Sequence, residues 1–78
     1  MALLDDMADE LAQMALADEA RSGDDKIVAN VGEILGSSSQ TLQEAYNTAI
    51  RVRRAEKRAK ELLTKRLQEQ KLKSAKDS

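Results

Sequence analysis

Hydrophobic residues in the first fifty positions recur at intervals of three and four, the spacing that places side chains on one face of an α-helix. In residues 2–21 this stripe consists of Leu4, Met7, Leu11 and Met14, with the acidic residues mostly on the opposite side. Ser22-Gly23 then interrupts the pattern, because glycine can adopt the left-handed conformation that ends a helix and serine can cap the next one. We therefore predict a first amphipathic helix over residues 2–21.

A second amphipathic helix is predicted over residues 24–35. Asp24 and Asp25 are expected in its first turn, where the helix dipole favours negative charge. The residues expected to face inward are Ile27, Val31, Ile34 and Leu35. Gly36 is the expected end of this helix, and the serines that follow are expected to form a short link.

The third helix meets no proline or glycine, and we predict that it runs from residue 39 to about residue 70, after which the tail frays. Ser38 or Ser39 can cap its first turn, and Thr41 with Glu44 offers a competing capping box. Residues 39–70 span roughly 48 Å as a helix, whereas a compact domain of this size has a radius of gyration of roughly 11 to 12 Å. Part of the third helix must therefore extend past the first two.

Two apolar strips lie along the third helix when its residues are plotted at about 100° intervals. The shorter strip, confined to the first three turns, comprises Leu42, Tyr46 and Ile50, and we expect the first two helices to cover it. The longer strip begins at Ala45 and Ala49. It continues through Val52, Ala55, Ala59, Leu62, Leu63 and Leu67, which we call the apolar stripe. This stripe is expected to face a partner, most simply another copy of the chain.

The composition supports an all-α fold. The 78 residues include no proline, three glycines and one aromatic residue, and the rest are rich in residues that favour helices. The core must be aliphatic and thin, and at this length oligomerisation often supplies the remaining stability. We predict two short amphipathic helices followed by one long helix through which the chain oligomerises.

The charge divides the chain into two parts. Residues 1–50, the acidic body, carry ten acids and two bases, a net charge of 2 − 10 = −8. Residues 51–78, the basic arm, carry eleven bases and four acids, a net charge of 11 − 4 = +7. An arm of this kind is typical of proteins that bind something anionic, which here can be nucleic acid, an acidic protein or the acidic body of another copy.

Several functions are disfavoured by what the composition omits. Without cysteine or histidine, the chain has no thiolate, no zinc-thiolate site and no usual general base, so we expect no enzyme, no cofactor, no metal and no small-molecule substrate. The sequence contains no stretch of eighteen apolar residues, and its first ten residues are acidic where a secretory signal is basic. We therefore expect a cytoplasmic protein that does not enter the membrane.

The junction between the second and third helices, residues 31–45, reads VGEILGSSSQTLQEA. It resembles the helix-turn-helix motif of bacterial and phage DNA-binding proteins, in which a small residue lets two helices cross, Leu-Gly makes the turn and serine caps the second helix. Here these roles fall to Val31, Gly32, Leu35, Gly36, Ser38, Thr41 and Leu42, with Ala45 as the next core contact. The acidic body would then be three helices that include this junction.

The resemblance implies which side chains contact DNA. The residues facing the major groove would be Ser39, Gln40, Gln43, Glu44 and Asn47, where glutamine and asparagine pair with adenine and glutamate accepts from cytosine. The phosphate contacts would come from Arg51, Arg53, Arg54, Lys57 and Arg58.

Two classes of function follow. The leading hypothesis is a small, self-assembling, non-enzymatic protein that binds nucleic acid, similar in architecture to small phage or bacterial regulators and to the small terminase subunits that recognise DNA during packaging. The alternative is an adaptor, scaffold or chaperone whose basic arm binds an acidic protein and whose first helix masks the arm until then. Whether the first helix packs on its own chain or on a neighbour stays open in both.

Overall fold

The computed structural model describes the backbone of residues 2–77 and the side chains of residues 3–73. Over this range the chain forms three helices, α1 (Ala2–Ser22), α2 (Ile27–Ser38) and α3 (Gln40–Asp77), and no strand. Each helix packs against the other two. The prediction of an all-α chain with two shorter helices and one long helix is confirmed.

The break between α1 and α2 lies where the sequence predicts it. Gly23 adopts a φ of +76°, which glycine tolerates because it lacks a Cβ, and its N–H donates to the carbonyl oxygen of Glu19 at 2.9 Å. Asp24 and Asp25 precede α2, so their predicted place in its first turn is wrong. The physical reason is local. The Asp24 carboxylate accepts a hydrogen bond from the Lys26 N–H at 2.9 Å, and this hydrogen bond closes a turn that precedes the helix.

The predicted helix end at Gly36 is also wrong, because α2 continues through Gly36 to Ser38. Only Gly23 has a positive φ among the described residues, so Gly36 keeps helical geometry. Ser39 is the single residue between the helices, with extended backbone angles of −154° and 103°. Its hydroxyl accepts a hydrogen bond from the Leu42 N–H at 3.2 Å, which makes Ser39 the cap of α3.

The core is small and forms where α1 crosses α3. Its buried residues are Ala8, Ala12, Ala15, Tyr46 and Ile50. The three alanines of α1 follow helical spacing, and their small side chains allow α3 to approach closely. Half-buried leucines and valines of all three helices surround this centre.

Because α1 turns its alanines inward, the methionines of its predicted apolar stripe turn outward. Met7 and Met14 are exposed, while Leu4 and Leu11 are half-buried and Leu11 packs against the core. The position of α2 is set in a similar way by Gly32, which is buried beside the ring of Tyr46. The prediction that Ile34 faces inward is wrong, since 69 % of it is exposed.

The long helix gives the molecule its shape. The Cα radius of gyration is 17.3 Å and the extents are 60 × 30 × 13 Å, compared with a radius of roughly 11 to 12 Å for a compact chain of this length. The predicted projection of α3 beyond the body is therefore confirmed. The helix continues to Asp77, so the predicted loss of helix after residue 70 is wrong.

Candidate nucleic-acid interface

Near the start of the basic arm, a bidentate ion pair joins α3 to α1. Arg53 donates its Nε–H to Asp9 Oδ1 at 2.5 Å and an Nη2–H to Asp9 Oδ2 at 2.6 Å. Gln13 donates a further hydrogen bond to Oδ2 at 3.0 Å. The hydrogen bonds that Arg53 donates lower the pKa of Asp9; desolvation opposes this shift and the hydrogen bond from Gln13 adds to it. The same hydrogen bonds to Asp9 raise the pKa of Arg53. Both groups are therefore charged at neutral pH.

A second ion pair joins the neighbouring arginine to the last turns of α1. Arg54 Nη2 lies 3.2 Å from Glu19 Oε2. Beneath this pair, the buried hydroxyl of Tyr46 donates a hydrogen bond to the carbonyl oxygen of Val28 at 2.7 Å. Burial raises the pKa of Tyr46, an effect that the positive charge of Arg54 partly offsets. The long helix is thus joined to α1 by two ion pairs and to α2 by the hydroxyl of Tyr46.

Where the arm leaves the body, an open groove of about 460 Å³ lies between α1 and α3. Its lining residues are Leu16, Glu19, Ala20, Arg53, Arg54, Lys57, Arg58 and Glu61. Within the described side chains, Lys57 and Arg58 make no ion pair. Positive charge is therefore available at this groove even though the two arginines beside it are engaged.

A row of exposed cations also runs along the arm. Arg51, Arg58 and Lys65 are spaced seven residues apart, which places them on one side of α3. Of the ten bases in residues 51–73, only Arg53, Arg54 and Lys60 form ion pairs among the described side chains, which leaves seven without one. The described part of the arm is therefore a cationic surface with little internal neutralisation.

At the helix junction, two of the residues predicted to contact bases take part in the fold. Ser39 caps α3 with its hydroxyl, as described above. Gln43 donates a hydrogen bond from Nε2 to the carbonyl oxygen of Gly32 at 2.8 Å, which ties α3 to α2. Its side chain also lies against Gly36, where an added Cβ would approach Gln43 Nε2 to 2.4 Å. Gly36 thus makes room for a side chain and does not make the turn.

The other predicted base-contacting residues face solvent. Gln40, in the first turn of α3, and Glu44, one turn later, are exposed. Asn47 is exposed as well, although its Oδ1 lies 3.6 Å from the position that a Cβ on Gly32 would occupy. Side chains able to approach a base therefore remain at the junction, but they are fewer than the sequence predicts.

The apolar stripe of the arm lies uncovered. Val52, Ala55, Ala59, Leu62, Leu63 and Leu67 are all exposed. They occupy the side of α3 roughly opposite Tyr46 and Ile50, which pack into the body. Leu72, which was not predicted as part of an interface, is also exposed but lies outside the stripe.

Asp9 and Glu19 are the functional candidates that sequence reasoning missed. Both acids occur in a helix that is acidic along most of its length, so their number alone gives no sign of which carboxylates meet the arm. They are ten residues apart, close to three helical turns, and therefore lie on adjacent faces of α1. That spacing could have identified them only if the orientation of α1 against α3 had been known.

No protein family, characterised protein or solved structure matches this chain at significant similarity. Among the described residues, no group of three or more acidic side chains is arranged to hold a metal ion. No described helix combines the length and the apolar character needed to cross a membrane. The class defined by the structure is accordingly an all-helical protein with an acidic body and a projecting basic arm.

Proposed function

We propose that this chain is a small, non-enzymatic helical protein that self-assembles and binds nucleic acid through the phosphate backbone. The observation that carries the proposal is the cationic surface of the arm, on which seven of the ten described bases make no ion pair. Like-charged side chains on one helix repel each other, so their concentration here favours an anionic ligand over a merely solvated surface.

The geometry favours a contact directed at phosphates more than at bases. Arg51, Arg58 and Lys65 form a row about 20 Å long on one side of a helix whose far end projects past the body. Phosphate contacts of this kind supply most of the affinity of many nucleic-acid complexes and are independent of sequence. Base selectivity would depend on Gln40 and Asn47, and we expect it to be modest.

Fluorescence anisotropy of a labelled duplex tests the proposal. The wild-type protein is expected to bind at low salt and to lose affinity steeply as salt increases. Arg58→Glu/Lys65→Glu should weaken binding by at least about tenfold and reduce the slope of log affinity against log salt by about 2, one for each phosphate contact removed.

The matched control is Arg21→Glu/Lys26→Glu, which changes the net charge by the same amount at exposed positions of the body. If the arm is the binding surface, this control keeps most of the affinity and the full salt slope. Equal losses in both variants would mean that only total charge matters and would refute a binding site on the arm. Absence of wild-type binding even at low salt would refute the nucleic-acid proposal altogether.

A second candidate function is a helical adaptor, scaffold or chaperone whose arm binds an acidic protein. The exposed leucines of the apolar stripe favour it, because a pure phosphate-binding helix has no use for them. In this function, Asp9 and Glu19 hold Arg53 and Arg54 until a more acidic partner displaces them. An anisotropy experiment without DNA binding would favour this alternative.

A further inference from the structure

A second apolar surface lies on the body, between α1 and α2. It is an open groove of about 410 Å³. Its lining residues include Leu11, Met14, Ile27 and Val31, together with the charged residues Asp18 and Arg21. The exposed side chain of Ile34 lies on the same face of α2 as Ile27 and Val31, because the three residues follow one another at helical spacing. We call this surface the body groove.

The charged residues that line the groove, Asp18 and Arg21, are one acid and one base, but the body that carries the groove is acidic. Of the ten acids in residues 1–50, only Asp9, Asp18 and Glu19 form ion pairs among the described side chains. Seven acids of the body therefore make no ion pair among the described side chains, the same number as the bases in residues 51–73 that make none. The two surplus charges are opposite in sign, and each accompanies an exposed apolar surface.

We propose that the apolar stripe of one copy binds in the body groove of another copy, so that the chains assemble head to tail. This proposal rests on the self-assembly part of the proposed function and specifies its geometry. An amphipathic helix laid in a hydrophobic groove is a common mode of recognition, and the flexible side chain of Met14 suits such a contact. Charge complementarity between the arm (+7) and the body (−8) favours a second copy of this chain as the partner.

The arm cannot reach the groove of its own chain. Residues 40–77 form one continuous helix, and no glycine or proline interrupts it. Arg53 and Arg54 fix this helix to α1, and Leu62 to Leu67 lie roughly 12 to 20 Å farther along its axis. A straight helix carries these leucines away from the body, so only another molecule can supply the groove.

Pairing of two arms is the competing geometry, and electrostatics disfavours it. Two arms side by side bring together two segments of net charge +7, whereas an arm on a body brings together +7 and −8. The two geometries respond oppositely to salt, because screening weakens attraction between unlike charges and relieves repulsion between like charges. A contact that differs on its two sides also repeats from copy to copy, forming a ring or an open chain.

Mixing two defective variants tests the proposal by analytical ultracentrifugation. The arm variant is Leu63→Gln/Leu67→Gln, and the groove variant is Met14→Lys/Ile34→Lys; all four side chains are exposed, so the fold is retained. Each variant alone should sediment as a monomer of 8.6 kDa at about 100 µM. Their mixture should form a one-to-one dimer, because the intact arm of one variant meets the intact groove of the other.

Leu72→Gln is the matched control, because it removes an exposed leucine of the arm outside the stripe and should leave wild-type association unchanged. Wild-type association should weaken by about tenfold or more between about 50 mM and about 500 mM sodium chloride. A groove variant that associates like the wild type, association that strengthens with salt, or a mixture that stays monomeric would each overturn the proposal.

The outcome is separable from the nucleic-acid test. A wild-type protein that stays monomeric at about 100 µM would overturn both this inference and the self-assembly half of the proposed function. The anisotropy result would be unaffected, because it depends on the exposed bases of the arm. Wild-type association without restoration in the mixture would overturn the head-to-tail geometry alone.

Discussion

The crossing of α2 and α3 depends on a coupled pair, Gly36 and Gln43. Alanine at position 36 would place its Cβ 2.4 Å from Nε2 and 2.7 Å from Cδ of Gln43, so the glutamine side chain would have to move. In moving, it would lose its 2.8 Å hydrogen bond to the carbonyl oxygen of Gly32. Gly36 is helical, so alanine there also removes the penalty that glycine imposes within a helix.

These two effects are similar in size and opposite in sign. Replacing a helical glycine with alanine stabilises by about 1 kcal/mol, and losing a hydrogen bond of this kind costs about 1 kcal/mol. Gly36→Ala alone should therefore change the free energy of unfolding by less than about 0.5 kcal/mol. In a Gln43→Ala background, where the side chain in conflict is absent, the same substitution should stabilise by about 1 kcal/mol.

A double-mutant cycle measured by urea denaturation with circular dichroism detection checks this reasoning. The expected coupling between positions 36 and 43 is about 1 kcal/mol. The cycle cancels any difference in helix propensity between glutamine and alanine, because that difference is present on both sides. If Gly36→Ala has the same effect in both backgrounds, Gln43 does not lie against Gly36 and the crossing described here is wrong.

Three further substitutions test the core and the ion pair. Tyr46→Phe removes the hydroxyl that donates to Val28 and should lower the free energy of unfolding by about 1 kcal/mol in urea denaturation. Asp9→Asn should lower the melting temperature at pH 7. The difference in melting temperature from the wild type should disappear below about pH 4, because a carboxyl group with a lowered pKa contributes stability above its ordinary pKa of about 3.9 and loses that contribution in acid. A difference that stays constant with pH would exclude the ion pair. Ala12→Leu should cost about 1 to 3 kcal/mol by forcing α1 away from α3, whereas Ala29→Leu at an exposed site of α2 should be nearly neutral in the same thermal melts.

The number, order and character of the helices could be predicted from the sequence. Helix-favouring composition and spacing gave three helices, and the Ser22-Gly23 pair marked the first boundary correctly. These features are local, since they depend on residues within a few positions of one another. The prediction for Gly36 was wrong because local sequence does not show why a glycine is present. A glycine can end a helix, or it can lie within a helix and make room for a side chain of another helix.

The orientation of the helices could not be predicted, because it depends on contacts between distant residues. Periodicity on α1 favours Leu4, Met7, Leu11 and Met14 as the inward face, but the alanines one position farther along allow a closer approach to α3. A single tyrosine then decides the arrangement of α2, since Tyr46 needs both an apolar site and an acceptor for its hydroxyl. Close packing of this kind has no signature in a hydrophobic pattern alone.

The candidate site likewise combines surface features that could be predicted from the sequence with contacts that could not. The sequence predicted a basic arm with an uncovered apolar stripe, and both features lie on the surface of α3. It did not predict that Arg53 and Arg54 would be held by Asp9 and Glu19, because charge totals do not specify pairs. The arm is therefore less uniform than its composition suggests, because Arg53 and Arg54 are held by the body while seven of the ten described bases make no ion pair.

The two proposed ligands of the arm need not exclude each other. The row of cations at positions 51, 58 and 65 and the apolar stripe lie roughly 100° apart around α3, so an arm held in a neighbouring groove can still expose that row. Each added copy would then bring another row of cations to the same nucleic acid, and the second contact would be intramolecular. Assembly and nucleic-acid binding would strengthen each other, because every contact that fixes an arm in a groove also raises the local density of phosphate-binding residues.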